Sequence, residues 1–111
     1  MMAAGTAAEL GCKVVLIEKN EEPGRKLRIT GKGRCNITNA CDTEDMIAMF
    51  PTGGRFLYSA LYGFTNNDII ALLEGYGVKT KVERGGRVFP VSDDARDVVG
   101  AMKKYAHFVS A

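Results

Sequence analysis

The chain has 111 residues, 46% of them hydrophobic and 25% charged, with a formal net charge of +2 at pH 7. These values fit an ordinary globular polypeptide and exclude collagenous, low-complexity and strongly polyionic classes. No apolar stretch approaches the ~20 residues of a membrane-spanning helix, the N-terminus lacks the basic and apolar regions of an export signal, and the three cysteines have no C-x-x-C spacing that would suggest a disulfide framework or a metal site.

Residues 1–10 are mostly small or helix-favouring, and Gly11 suits the position just past a helix end. Val14, Val15, Leu16 and Ile17 then form an apolar run bounded by Gly11 before it and by Asn20 and Pro23 after it. That pattern predicts a short strand buried on both faces, as in a parallel sheet, closing with Glu18. Helix, tight turn, buried strand and acidic end make the second half of a βαβ unit. In a dinucleotide-binding fold a first strand and a Gly-rich turn precede that helix, and the acid lies about twenty residues beyond the turn. No G-x-G-x-x-G occurs here, so the turn that sets pyrophosphate on a helix N-terminus is expected to be absent.

Residues 23–39 carry Arg25, Lys26, Arg28, Lys32 and Arg34 with no acidic side chain, and glycines at 24, 31 and 33. A strand ending in a carboxylate, followed by a Gly-rich cationic loop, suits a ligand with both a ribose and phosphates, that is, a dinucleotide. Glu18 can accept hydrogen bonds from the 2′- and 3′-hydroxyls of the ribose; the alternative is a solvated acid beside Lys19. Cationic runs also occur as solvated faces or nucleic-acid patches. Here the glycines allow close backbone approach and no aromatic is interleaved for base stacking, which favours a small phosphate ligand. Cys35, between Arg34 and Asn36, reads either as a thiol of lowered pKa or as a small buried packing residue; without a C-x-x-C partner the second is favoured. Asn36, Thr38 and Asn39 suit hydrogen bonding to the loop's own backbone and to the ligand.

Further along, Thr43, Glu44 and Asp45 open a short helix through Phe50, which residues 51–54 break. A second helix is predicted over about 55–62, and a third from Asn66 or Asn67 as cap, through Ile69, Ile70, Leu72 and Leu73, to Gly77. Residues 78–84 alternate with period two, Gly85 and Gly86 supply a two-residue turn, and residues 87–91 return, a β-hairpin pattern. Pro90 cannot donate to a ladder, so its strand should lie at an edge or end there. Ser92 caps a last helix over about 93–106 whose Ala95, Val98, Val99, Met102 and Ala106 share a face, with Lys103 and Lys104 at its C-terminal end. His107, beside Tyr105, Phe108 and Val109, reads as part of the chain's packed end.

The segments 16–19, 23–27 and 30–39, the last reading Thr-Gly-Lys-Gly-Arg-Cys-Asn-Ile-Thr-Asn, resemble the signature of the BaiN-like flavoprotein family. Residues 55–61 and 86–92, then Ala95 and residues 97–99, are similar to the same family in the same order. These are bacterial FAD-binding, NAD(P)-utilising oxidoreductases, also labelled the aminoacetone-oxidase family, and several times longer than this chain. The resemblance implies an α/β fold: part of a Rossmann-like FAD-binding domain, a parallel strand plus helices, with a β-hairpin. It implies a partial FAD-binding βαβ unit with its flavin-side loop over residues 1–45. Residues 46–111 would be the helical segment, hairpin and last helix of the same domain.

By the same resemblance, Glu18, Arg25 and Lys26 would serve the adenosine and diphosphate side of FAD. Gly31, Gly33, Arg34, Cys35, Asn36 and Asn39 would lie near the flavin ring, with the role of Lys32 open and no catalytic residue assigned. FAD is the implied cofactor and NAD(P)H the implied co-substrate of a parent enzyme acting on a small molecule in the cytoplasm, without a membrane, a metal or a specific nucleic acid. Alternative readings are a non-catalytic module gripping nucleic acid or another polyanion, and an inactive truncation. An apolar strand without its neighbour is also expected to promote self-association.

Overall fold

In a computed structural model, which describes residues 1–107, the chain forms six short helices and a three-stranded sheet among the described residues. Helix α1 (Met2–Glu9) ends at Gly11, whose φ of +84° lets the Cys12 amide turn back to the Ala7 carbonyl and the Gly11 amide to that of Ala8. This double closure satisfies carbonyls that a helix end leaves open. Helices α2 (Arg25–Ile29), α3 (Thr43–Ala48) and α4 (Tyr58–Gly63) are one to two turns each, α4 entered through a 3₁₀ turn. Helix α5 (Asn66–Gly75) and helix α6 (Ala95–Tyr105) are longer.

Strand β1 (Thr38–Asn39), β2 (Thr80–Glu83) and β3 (Arg87–Pro90) form an antiparallel sheet in the order β1-β3-β2. The hairpin pairs Glu83 with Arg87 and Thr80 with Pro90. Residues 84–86 therefore make a three-residue turn rather than the two-residue one expected, with positive φ at Gly85 and Gly86. Strand β3 is central, yet β1 reaches only Val88 and Arg87 on it. Pro90 sits at the strand's end, where its missing N–H breaks no β1 bond.

Helix α6 organises the core. Its Ala95, Val98, Ala101, Met102 and Tyr105 bury against Leu73, Val78 and Cys35. Against its last turn, Gly5 brings α1 so close that an added Cβ would fall inside the Tyr105 ring's contact distance, and the Tyr105 hydroxyl meets Thr6 Oγ1 at 3.0 Å and Glu9 Oε2 at 3.1 Å. Within β3, Val88, Phe89 and Pro90 are fully buried.

Several local expectations shift. The cap of α5 is Thr65 rather than Asn66 or Asn67: Thr65 Oγ1 accepts from the Asp68 amide, and the Asp68 carboxylate accepts from the Thr65 amide. Asp94 caps α6 in place of Ser92, accepting from the Arg96 amide at 2.9 Å. The largest correction concerns residues 14–17, which form no strand. Val15 is 85% and Ile17 90% exposed, and no backbone hydrogen bond joins residues 14–17 to any other described residue. A parallel strand needs a neighbour in register, and β1–β3 close on one another antiparallel, so the run stays unpaired. His107 is exposed with φ of +50°, and Phe108 and Val109 lie outside the described residues.

Candidate functional site

The acid-free stretch from Pro23 to Cys41 packs onto α6 and the hairpin through particular close approaches. Gly24, in the left-handed region at φ +83°, lets the chain pass Val99 where an added Cβ would sit 2.9 Å from Val99 Cγ1. Leu27 then faces the core, which turns Arg25, Lys26 and Arg28 outward on α2. Thr30 Oγ1 donates to the Leu27 carbonyl at 2.9 Å and closes the helix.

Beyond Thr30 the backbone folds into a tight turn. Gly31, Lys32 and Gly33 all have positive φ, Arg34 is right-handed, and Cys35 returns to φ +61°. The Arg34 amide donates to the Gly31 carbonyl and the Cys35 amide to that of Thr30, at 3.2 and 3.0 Å. Alternation of left- and right-handed residues turns successive N–H groups toward one side, the geometry of an anion-binding nest. Two of these N–H groups are used within the turn. The Asn36 amide makes no hydrogen bond among the described residues. A Cβ on Gly31 would stand 2.9 Å from the Asn36 nitrogen and 3.0 Å from Phe89 Cε1. The missing side chain therefore lets the turn close onto the Asn36 backbone and the Phe89 ring, beside an unpartnered donor.

Arg34 is committed elsewhere. Its guanidinium lies 3.9 Å above the centroid of the Phe89 ring, and Nη1 donates to Glu83 Oε2 at 2.9 Å and to Asp93 Oδ1 at 3.1 Å. Lys81 completes the clasp, reaching Asp93 Oδ2 at 2.8 Å and Glu83 Oε2 at 3.2 Å. The Arg34 hydrogen bond holds the Glu83 carboxyl below the usual range, and the Lys81 hydrogen bond does the same for Asp93. The carboxylates in turn raise both bases. Sequence reading missed Lys81, Glu83, Asp93 and Phe89; the period-two spacing of Lys81 and Glu83 on one strand face was the available signal.

Cys35 is buried in the core cluster, and desolvation pushes its thiol up, partly offset by a hydrogen bond with Thr30. Asn39 has its side chain spent: Nδ2 donates to the Gly85 carbonyl at 2.8 Å and Oδ1 accepts from the Cys41 amide at 3.0 Å. Asn66 Nδ2 binds the Asn39 and Cys41 carbonyls, both at 2.7 Å, a second contact the sequence did not flag. Thus Gly31, Gly33, Arg34, Cys35 and Asn36 are brought together by one turn, with Asn39 just beyond it in β1.

Glu18 stands apart from that turn. Its Oε1 accepts from the Asn20 amide at 2.9 Å and from Asn20 Nδ2 at 2.7 Å, contacts that lower its pKa, while Oε2 accepts no hydrogen bond among the described residues. Next to it, Lys19, Asn20, Glu21, Glu22, Arg25 and Arg28 line a polar cavity of about 480 Å³. A larger apolar cleft of about 790 Å³ runs between α1 and α5, past Leu61, Phe64 and the β1 residue Thr38. Among the described residues no three His, Cys, Asp or Glu side chains cluster as metal ligands, and no helix is long and apolar enough to cross a membrane.

The helices and the small antiparallel sheet that carry this glycine turn are those of a partial α/β domain. The family model for the HI0933-like protein Rossmann domain matches residues 1–109, and the chain belongs to that family, the BaiN-like group that residues 30–39 resemble. It is similar to the ribosomal RNA dihydrouridine synthase of Escherichia coli (strain K12), 33% identical over 99 residues, covering 89% of this chain and 24% of the relative. The 3-dehydro-bile acid delta(4,6)-reductase of Clostridium scindens is 30% identical over 96 residues, 86% of this chain and 23% of the relative. A ribosomal RNA dihydrouridine synthase of Haemophilus influenzae is 30% identical over 104 residues, 93% and 25%. The chain therefore spans about a quarter of the length of these curated relatives.

Proposed function

We propose that this chain forms the flavin-side and adenosine-side portion of an FAD-dependent reductase that uses NAD(P)H. The observation that carries the reading is the left-handed turn over residues 31–35 followed by the unpartnered Asn36 amide. Residues 1–45 supply these contacts, and the hairpin and helices between residues 46 and 105 brace them.

The substrate class follows from chemistry shared by the relatives' names. Dihydrouridine is uridine with its ring carbon–carbon double bond saturated, and a delta(4,6) reduction of a 3-dehydro bile acid also saturates a carbon–carbon double bond conjugated with a carbonyl. The common reaction is hydride addition to the β-carbon of an unsaturated carbonyl, with a proton added at the α-carbon. When bound, FAD would take hydride from NAD(P)H and supply it to that carbon.

The chain's own residues bind and orient. Glu18 Oε2 accepts from a ribose hydroxyl, while Asn20 keeps the group ionised by bonding Oε1. Arg25 and Lys26 stand exposed and without an ion pair among the described residues, available to a diphosphate. The Asn36 amide donates toward the pyrimidine edge of the flavin, where negative charge develops on reduction. Arg34, Cys35 and Asn39 act through the turn: the first clasps it to the hairpin, the second anchors it in the core, and the third ties its exit to Gly85.

The test is visible absorption of the purified chain after incubation with FAD and gel filtration. Retained flavin that is lost in Glu18→Ala and Gly31→Ala supports the reading. A cooperatively melting wild-type chain that retains none refutes it for these residues.

A further inference from the structure

Along the polar face of α6 a cavity of about 460 Å³ opens between the residues that follow α5, the entry to β2 and the exit from β3. Its size falls within the about 300–1,000 Å³ of small-molecule sites. Lys79, Ser92, Arg96, Asp97, Gly100 and Lys104 are among its lining residues, and it shares none with the cofactor contacts above. We propose that this cavity binds a small phosphomonoester that also carries a hydroxyl group, at a site separate from the one assigned to FAD.

Two elements bring the cations together. Arg96, Gly100 and Lys104 stand four residues apart on α6 and so form one row along the helix, the two cations about 12 Å apart along its axis. Lys79, just before β2, lines the same cavity from the hairpin side. Lys79 and Lys104 are exposed and make no ion pair among the described residues. Arg96 is oriented by Asp94, with Nη2 to Oδ2 at 2.8 Å and Nε to Oδ1 at 3.1 Å, while its Nη1 makes no hydrogen bond among the described residues. Ser92 Oγ accepts from the Asp94 amide at 3.3 Å, which leaves its O–H to donate. A dianionic phosphate suits these donors. Asp97 is the acid of the lining and makes no ion pair among the described residues. It disfavours a ligand that is anionic throughout and accepts a hydrogen bond from a hydroxyl beside the phosphate.

Gly100 is an independent observation. Glycine inside a helix is less stable than alanine, and other helical glycines have a reason within the chain. Gly5 of α1 lies so close to the Tyr105 ring that a Cβ would clash, and Gly63 and Gly75 end α4 and α5. Gly100 stands in the middle of α6, outside the positive-φ region, and a Cβ there would meet no atom within 4 Å. Packing within the chain therefore does not require the missing side chain. What its absence provides is an open floor between Arg96 and Lys104, where a ligand can approach the helix closely.

The experiment is a proton–nitrogen correlation NMR titration of the 111-residue chain at low salt with two probes, inorganic phosphate and glycerol 3-phosphate. Saturable shifts should centre on the Lys79, Gly100 and Lys104 amides. Glycerol 3-phosphate should bind about tenfold more tightly than phosphate, the worth of one hydrogen bond to a charged group. Lys79→Glu with Lys104→Glu should weaken both probes by about tenfold or more. Asp97→Ala should remove the preference for the ester while phosphate binds at least as well as before. Gly100→Ala should raise the melting midpoint yet weaken binding, a combination that a glycine serving no ligand would not give. Arg55→Glu, at an exposed cation on the 3₁₀ turn before α4, should leave binding nearly unchanged. The proposal is overturned if the wild-type chain shows no saturable shift with either probe, if the double lysine variant or Gly100→Ala binds as wild type does, or if Arg55→Glu weakens binding equally. Equal affinity for the two probes would overturn the hydroxylated ester in favour of free phosphate. Flavin retention should be the same in the double lysine variant as in wild type, so the failure of this site and the failure of the cofactor reading are told apart.

Discussion

Gly31 and Gly33 look interchangeable in the sequence, and the structure separates them. Both have positive φ, but Gly31 is wedged between the Asn36 nitrogen and the buried Phe89 ring, whereas nothing lies nearer than 4.0 Å to a Cβ on Gly33. Backbone and a fully packed ring cannot step aside. Gly31→Ala should therefore combine left-handed strain with overpacking, about 2–4 kcal/mol of stability, while Gly33→Ala should cost about 1 kcal/mol, the strain alone. Urea unfolding midpoints of the two variants measure the difference; equal losses would mean that the Asn36 backbone and the Phe89 ring give way without cost. The glycine turn as a place of close approach was legible in the sequence. What approaches it was not, because Phe89 comes from the distant hairpin and no local pattern links it to the turn. Arg34 shows the same limit: composition marks it as a cation for a ligand, and only the fold shows Glu83, Asp93 and Phe89 gathered around it.

At the scale of elements, the Arg34–Glu83–Lys81–Asp93 clasp joins the 31–35 turn to the β2–β3 hairpin and to the entry of α6. Its carboxyls are held below the usual carboxylate range by Arg34 and Lys81, so their contribution is fully present above the ordinary pKa of about 4 and is lost as pH falls through the lowered folded values. Lys81 is raised, so its share persists below the ordinary lysine pKa and fades only as pH rises through the higher folded value. Melting temperature should thus hold steady near neutrality and fall below about pH 4. Glu83→Gln should shift that acid limb toward a smaller fall while lowering stability at neutral pH; differential scanning calorimetry from pH 3 to 7 reads both. An acid limb unchanged in Glu83→Gln would remove this residue from the cause. Period-two alternation made the hairpin readable, and the apolar face of α6 was readable from its three- and four-residue spacing. Cap identity was not. Ser, Thr, Asn and Asp are near-equivalent cap formers, so only backbone geometry chooses Thr65 over Asn66 and Asp94 over Ser92. The third turn residue, Arg84, escaped notice because the glycine pair alone satisfies the sequence pattern of a tight turn.

At the scale of the whole molecule, a core centred on α6 coexists with a run of four apolar residues that it does not cover. Val14, Val15, Leu16 and Ile17 are all exposed, and their backbone groups have no partner among the described residues. A β-branched run with open hydrogen-bonding groups on both edges is a template for adding a strand from another molecule. The chain should therefore self-associate as concentration rises, with sedimentation velocity showing growth of larger species. Val15→Lys with Ile17→Lys places charge on the two most exposed positions and should restore a monomer. Because those side chains touch so little of the core, the monomer's melting midpoint should move by no more than the equivalent of about 0.5 kcal/mol. If the double variant melts much earlier, the run packs within the monomer and the exposed strand is not the adhesive. If it melts unchanged but still associates, the surface in question lies elsewhere, and the apolar cleft between α1 and α5 is the next face to charge. Association abolished at unchanged stability would establish residues 14–17 as the surface through which copies of the chain meet.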